Sequence, residues 1–211
     1  MSAARRPRAR RGEGDLLRNE ILDAAGRLLA EKGDEDAVSI RMIADAVGVT
    51  PPSIYLHFPD KDTLIEAVCE QRFGEFDEAL EKAAASAPDP VAALRARGRA
   101  YVEFGLAHPE HYRVLFMTRH ERAMDLTDLT SADGATAGAR AFGHLVEAVV
   151  RAVEAGAIVT ADPLATAIVL WSGCHGLVSL LVSEPGFPWP PVDSLVEAVL
   201  TTQIEGLRPR A

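Results

Sequence analysis

Arg41, Ser53, Tyr55 and His57 bring a guanidinium, two hydroxyls and an imidazole into one short stretch. An arginine beside the major groove can hold guanine O6 and N7 together, which discriminates between bases by about 1–3 kcal/mol. Two other places hold residue types with catalytic potential. His108-Pro109-Glu110-His111 sets two histidines three apart beside a carboxylate, and Cys174 adjoins His175. Neither carries the spacing of a working site. No HExxH, P-loop or nucleophile-elbow pattern is present, and neighbours on a helix point about 100° apart. An enzyme is therefore not expected, and neither is a metal or another cofactor.

The elements around Arg41 can be read from local signals. Ile40, Ile43, Ala44 and Val47 recur at the spacing of one helical face. Ser39 stands where an N-cap belongs. Gly48 can take the left-handed conformation that ends a helix. Thr50 can cap a second helix, with Pro51 in its first turn, where a missing N–H does no harm. Ile54 and Phe58 then point inward, leaving Ser53, Tyr55 and His57 on another face. Two short helices joined by a tight glycine turn make a helix-turn-helix.

The run from Gly48 through Thr50-Pro51-Pro52-Ser53-Ile54-Tyr55 to His57-Phe58-Pro59-Asp60-Lys61, followed by Leu64, resembles the signature of the TetR family of transcriptional regulators. The likeness is dense from about Leu17 to Val68 and looser beyond. It implies an all-helical homodimer with a three-helix DNA-binding head and a C-terminal domain that senses a ligand and dimerises. Thr50, Ser53, Tyr55, His57 and Lys61 match family positions that contact DNA, chiefly its phosphates, and by the same resemblance Arg41 reads a base or a phosphate. Phosphate contacts position a protein without reading sequence. Pro51 and Pro52 replace the more usual small or polar residues and offer a thymine methyl only apolar surface. Specificity is then left to Arg41, Ser53 and DNA shape. The family's usual mode is repression by occluding a palindromic operator. The alternatives are an activator, a ligand-independent regulator, and a cytoplasmic ligand-binding or scaffold protein without DNA activity.

A formal net charge of −9 looks wrong for a nucleic-acid partner until it is divided along the chain. Residues 1–62 hold ten Lys and Arg against eleven Asp and Glu, whereas residues 63–211 hold twelve against twenty. The acidity lies behind the motif. In front of it stand Arg5, Arg6, Arg8, Arg10 and Arg11, a basic arm expected to be disordered when free and suited either to phosphates and a minor groove or to plain solvation. No apolar stretch follows the arginines as a signal peptide requires. Cys69 and Cys174 stand apart without ligand spacing, which fits a reducing cytoplasm, with the nucleoid as the expected location.

Behind the motif the periodicity predicts helices only, about nine in all. The expected organisation is an arm at 1–13, the DNA-binding head at 14–62 and a ligand-binding and dimerisation domain at 63–211. A linking helix over about 61–86 joins head to rear, and Ala87-Pro88-Asp89-Pro90 punctuates the chain after it. Thr118 to Gly138 reads as a long loop. Ala165–Val182 is apolar nearly all round, which suits burial between copies of the chain better than a membrane, because polar residues interrupt it and no basic cluster flanks it. The family's dimer interface uses its last two helices, here about 163–183 and 192–206. Trp171, His175 and Gly176 resemble a Trp…His-Gly pattern of one C-terminal subclass, and Gly173 and Gly176 would permit close helix packing. Tyr101, Phe104, His108, Tyr112, Phe116, His144, Trp171 and His175 are the candidates to line a cavity for a hydrophobic or aromatic effector.

Overall fold

The computed structural model describes residues 14–117 and 136–209, so the arginine arm and most of the expected loop lie outside the described residues. In chain order the helices are α1 (Gly14–Lys32), α2 (Ile40–Val47), α3 (Pro51–Tyr55), α4 (Lys61–Ala85) and α5 (Pro90–Ala107). Then come α6 (Pro109–Tyr112), a π-turn (Arg113–Met117), α7 (Ala137–Glu154), α8 (Pro163–Ser183) and α9 (Val192–Glu205). No strand occurs among the described residues, and the chain is all-α as its periodicity predicts.

Packing divides the described residues into two units, 14–72 with 110–117, and 73–109 with 136–209. The division falls inside α4, past the sequence-based boundary at 62/63 and before the Ala87–Pro90 turn. The reason is where α4 spends its apolar residues: Leu64, Ile65 and Val68 are buried in the core of the first unit. That core also takes Ile21, Ala25 and Leu29 from α1, Ile43 and Ala44 from α2, and Ile54 and Phe58 around α3. Val114 of the π-turn joins them from far along the chain. Truncating a fully buried Ile or Leu such as these to Ala costs about 2–5 kcal/mol.

Local chemistry sets the ends of these helices. Gly33 has φ +68° and donates its N–H to the Leu29 carbonyl at 2.8 Å, closing α1. Two contacts brace α1: Arg72 donates to Asp23 at 2.6 Å, and Arg18 sits 5.1 Å over the Phe58 ring. In the second unit Asp89, Thr136 and Asp162 each accept a backbone N–H three residues on, opening α5, α7 and α8.

The second unit packs α5, α7, α8 and α9 around Leu94, Val149, Ala152, Ile158, Ala167 and Ile204. Arg95 donates to Glu205 at 3.3 Å and Arg99 bonds Glu197, pinning α9 along α5. At Gly173 a side chain would collide with Gln203 of α9, so the expected close approach is present there. At Gly176 a Cβ would meet nothing within 4 Å, so that glycine is not a packing glycine within this chain. Helix α8 is long and apolar enough to cross a membrane by length and composition. Instead of an all-round buried surface it carries an open stripe in which Ile168, Val169 and Leu180 are 42%, 60% and 51% exposed.

Candidate nucleic-acid interface

The turn between α2 and α3 is built as its residues dictate. Ser39 accepts the Met42 N–H at 3.3 Å, and Gly48 takes φ +77° while donating its N–H to Ala44 at 2.9 Å. Helix α3 is short. It ends at Tyr55, and a turn, not a further helical turn, brings Phe58 back into the core, with its N–H bonded to the Ile54 carbonyl at 3.0 Å. Thr50 has the extended backbone of an N-cap, but its hydroxyl lies 3.1 Å from the Ser53 hydroxyl and caps no N–H. The one donor left in the first turn beyond Pro51 and Pro52, the Ser53 N–H, goes instead to the Thr50 carbonyl at 2.8 Å.

What remains outside is a compact polar face. Arg41 is exposed and makes no ion pair among the described residues. Tyr55 is 51% exposed, Pro52 is exposed, and Pro51, Ser53 and His57 are half-buried. Leu56, which sequence reasoning passed over, is 85% exposed on the same turn. Its signal was available, since it falls off the Ile54–Phe58 stripe. Lys61 behaves differently from its neighbours. Its ammonium donates to the Glu35 carbonyl at 3.0 Å and lies 3.7 Å from Asp36, so it ties the loop after α1 to the start of α4. Asp60 caps α4 by accepting the Thr63 N–H at 2.7 Å, and that bond holds its carboxyl below the ordinary carboxylate range.

The residues expected to surround an effector fall in both units. Tyr112 is fully buried and its ring lies 5.0 Å from Phe116, both in the first unit. In the second unit the rings of His108, Phe104, Phe76 and Tyr101 follow one another at 5.0, 5.3 and 5.1 Å. Phe76 was legible only as part of the α4 stripe. Trp171 and Phe142 pack at 6.0 Å, and Trp171 and His175 at 5.4 Å. The Tyr101 hydroxyl joins His175 and Trp171, and burial lowers the His175 pKa from its ordinary value. His144 turns elsewhere, to Asp77 at 3.0 Å and Glu81 at 3.7 Å. Asp77, Glu81 and His144 have ligand atoms within 4.8 Å of one another, but Arg97 bonds the same Glu81, so the cluster already contains its own cation.

The geometry of a glycine-turned helix pair with an exposed polar second helix is matched at the level of families. Residues 21–68 fit the family described as bacterial regulatory proteins, tetR family, and residues 94–205 fit the tetracyclin repressor-like C-terminal domain. The chain belongs to the TetR family of transcriptional regulators. Members of this family are DNA-binding proteins, not enzymes. Among curated relatives, this TetR-family chain is 36% identical over 83 residues to the HTH-type transcriptional repressor KstR2 of Rhodococcus jostii, covering 37% of this chain and 38% of that protein. It is 38% identical over 86 residues to the HTH-type transcriptional regulator AcrR of Shigella flexneri, covering 39% of each. The chain thus spans less than half the length of these two relatives. A solved structure, a protein of unknown function from Rhodococcus sp. RHA1, is 28% identical and superposes with a TM-score of 0.73 over 97% of this chain and 100% of that one.

Proposed function

We propose that this TetR-family regulator is a cytoplasmic homodimeric repressor that occupies a palindromic operator and leaves it when a small hydrophobic or aromatic molecule binds. The observation that carries the DNA reading is the exposed face between Gly48 and Phe58, where Tyr55 and Leu56 stay in solvent although Ile54 just before them and Phe58 two residues after them are in the core. Arg41 serves as the base reader, while Thr50, Ser53, Tyr55, His57 and Lys61 hold phosphates. Pro51, Pro52 and Leu56 add apolar contact to sugars and thymine methyls.

The open stripe of α8 supports the homodimer. Ile168, Val169 and Leu180 stay exposed along it, a face that a second copy would cover, and Gly176 lets another helix approach closely. Tyr101, Phe104, Trp171 and His175, an aromatic group with a few polar atoms, supply the effector's surroundings. The ligand acts by binding one spacing of the two heads more tightly than the other.

A gel shift with the DNA just upstream of the protein's own reading frame tests the reading. A retarded complex that outlasts competition by scrambled DNA is the expected result. Absence of any complex on either DNA at about 50 mM salt, where phosphate contacts are strong, would overturn it.

A further inference from the structure

Helix α3 and the residue that ends it keep an apolar ridge in solvent. Pro52 and Tyr55 are exposed, and Leu56 is 85% exposed. Leu56 follows the last helical residue but retains a right-handed helical backbone, with φ −71° and ψ −21°. The three side chains therefore stand at i, i+3 and i+4 on one face, while Ile54 between them is fully buried. Single exposed apolar residues need no account, whereas neighbours that share a face mark a contact surface. Leu56 contributes nothing to the core from this position.

The chemistry of the ridge limits what it can read. Pro52 has no backbone N–H and no polar side-chain atom, and Leu56 has a purely apolar side chain. Tyr55 offers one hydroxyl at the tip of its ring. The Thr50 and Ser53 hydroxyls lie 3.1 Å apart and are bonded to each other. No Arg, Asn or Gln, the side chains that pair with purine edges in the major groove, occurs between Pro51 and Asp60. A base edge shows one apolar feature there, the C5-methyl group of thymine, and the minor groove shows none. The ridge lies within residues 21–68, the stretch that fits the TetR-family regulators, and is continuous with the polar face that carries Ser53 and His57. Its occupant is therefore argued to be the DNA itself.

We propose that Leu56, with Pro52 beside it, sets operator choice by covering thymine methyl groups in the major groove. The inference deepens the DNA reading above and rests on it. Tyr55 reaches a phosphate, and the two aliphatic side chains lie against the base edge. What is read at that base is the presence of a methyl group, with no hydrogen bond exchanged. Each methyl taken from water changes affinity only a few-fold. The result is a bias toward thymine at fixed positions, repeated in each half-site.

The DNA just upstream of the protein's own reading frame, prepared once with thymine and once with uracil throughout, tests this by fluorescence anisotropy on the full-length protein. Uracil keeps every hydrogen-bonding group of thymine and lacks only the methyl. The uracil duplex should bind about tenfold more weakly, each half-site losing a few-fold. Leu56→Ala should weaken binding to the thymine duplex and lose most of the distinction between the two. Its melting temperature should match the native one, because Leu56 lies outside the core. Equal affinity of the native protein for both duplexes would overturn the proposal and leave the DNA reading standing. An undiminished uracil effect in Leu56→Ala would trace it to duplex shape and overturn the proposal too. No binding of either duplex would overturn the DNA reading, and this inference with it.

Discussion

The Tyr101 hydroxyl lies 3.1 Å from His175 Nδ1 and 3.2 Å from the Trp171 indole nitrogen. An indole N–H can only donate, so the tyrosine oxygen accepts from Trp171. Both bonds are satisfied when its own hydrogen goes to Nδ1. His175 is then neutral with its proton on Nε2, in agreement with the direction in which burial moves its pKa.

The sign of the pH dependence follows. Above about 6.5, the ordinary imidazole value, His175 is neutral in folded and unfolded chains alike and adds nothing. Below it the unfolded chain takes up a proton that the folded one resists, so stability falls as pH falls. Thermal melts from pH 7.5 to 5.5 should decline more steeply for the native protein than for His175→Gln. Parallel curves would show that His175 is not the titrating group. Tyr101→Phe removes one hydrogen bond from each of Trp171 and His175 and should cost about 1–2 kcal/mol at pH 7.5.

Arg41→Ala should bring operator and scrambled DNA closer in affinity, because it removes a base reader, about 1–3 kcal/mol of discrimination. Tyr55→Phe should weaken both equally. Fluorescence anisotropy on the two DNAs separates these outcomes, and an equal loss for Arg41→Ala would make that arginine a phosphate contact. With about eight phosphates neutralised per dimer, log K should fall against log salt with a slope of roughly −7.

Lys61 has two tasks to separate. Its bond to the Glu35 carbonyl spans 26 residues of chain, so Lys61→Ala should lower the melting temperature of the DNA-free protein as well as DNA affinity. A half-exposed bond of this kind contributes about 0.5–1.5 kcal/mol. A melting temperature identical to the native one would make Lys61 a DNA contact alone.

Val169→Glu places a charge in the open α8 stripe, where Val169 is already 60% exposed. The monomer should tolerate it, within about 0.5 kcal/mol, while a dimer built on α8 should dissociate. Light scattering after size exclusion should show half the native mass. An unchanged mass would place the interface elsewhere.

Burial pushes the Cys69 and Cys174 thiols up to about 11, and for Cys69 the neighbouring Glu35, Glu66 and Glu70 add to the effect. Thiolate is the reactive form, so iodoacetamide at pH 7.5 should label neither cysteine in the native protein and both in urea. Mass spectrometry reads this directly. Rapid native labelling of Cys174 would mean that the second unit opens readily.

How legible each feature was depended on how far apart its residues lie in the chain. The Ser39 cap, the Gly48 turn and the α2 stripe are fixed within a few residues, and sequence spacing predicts them. The Thr50–Ser53 hydroxyl pair was not foreseen because the Ser53 N–H that a cap would have served bonds the Thr50 carbonyl instead, leaving the two hydroxyls to each other. The Lys61–Glu35 bond and the His144–Asp77 bond join residues that no local pattern relates. Periodicity marked Tyr112 and Val114 as apolar, but apolarity says that a side chain is buried and not in which core. For that reason nothing in the spacing assigned the expected effector residues to units, and they divide with Tyr101, Phe104, His108, His144, Trp171 and His175 in one and Tyr112 and Phe116 in the other.

The placement of Val114 and Tyr112 has a practical side for engineering. The DNA-binding unit is not one continuous stretch of sequence, since 110–117 returns to it after α5 has been made elsewhere. A chimera that transplants only the first 72 residues onto another regulator would leave behind a side chain of its own core and inherit a foreign one in its place. Cassettes that carry both segments, or that redesign the contacts of α1 with the π-turn at the seam, are the ones expected to move a DNA preference intact from one regulator to the next.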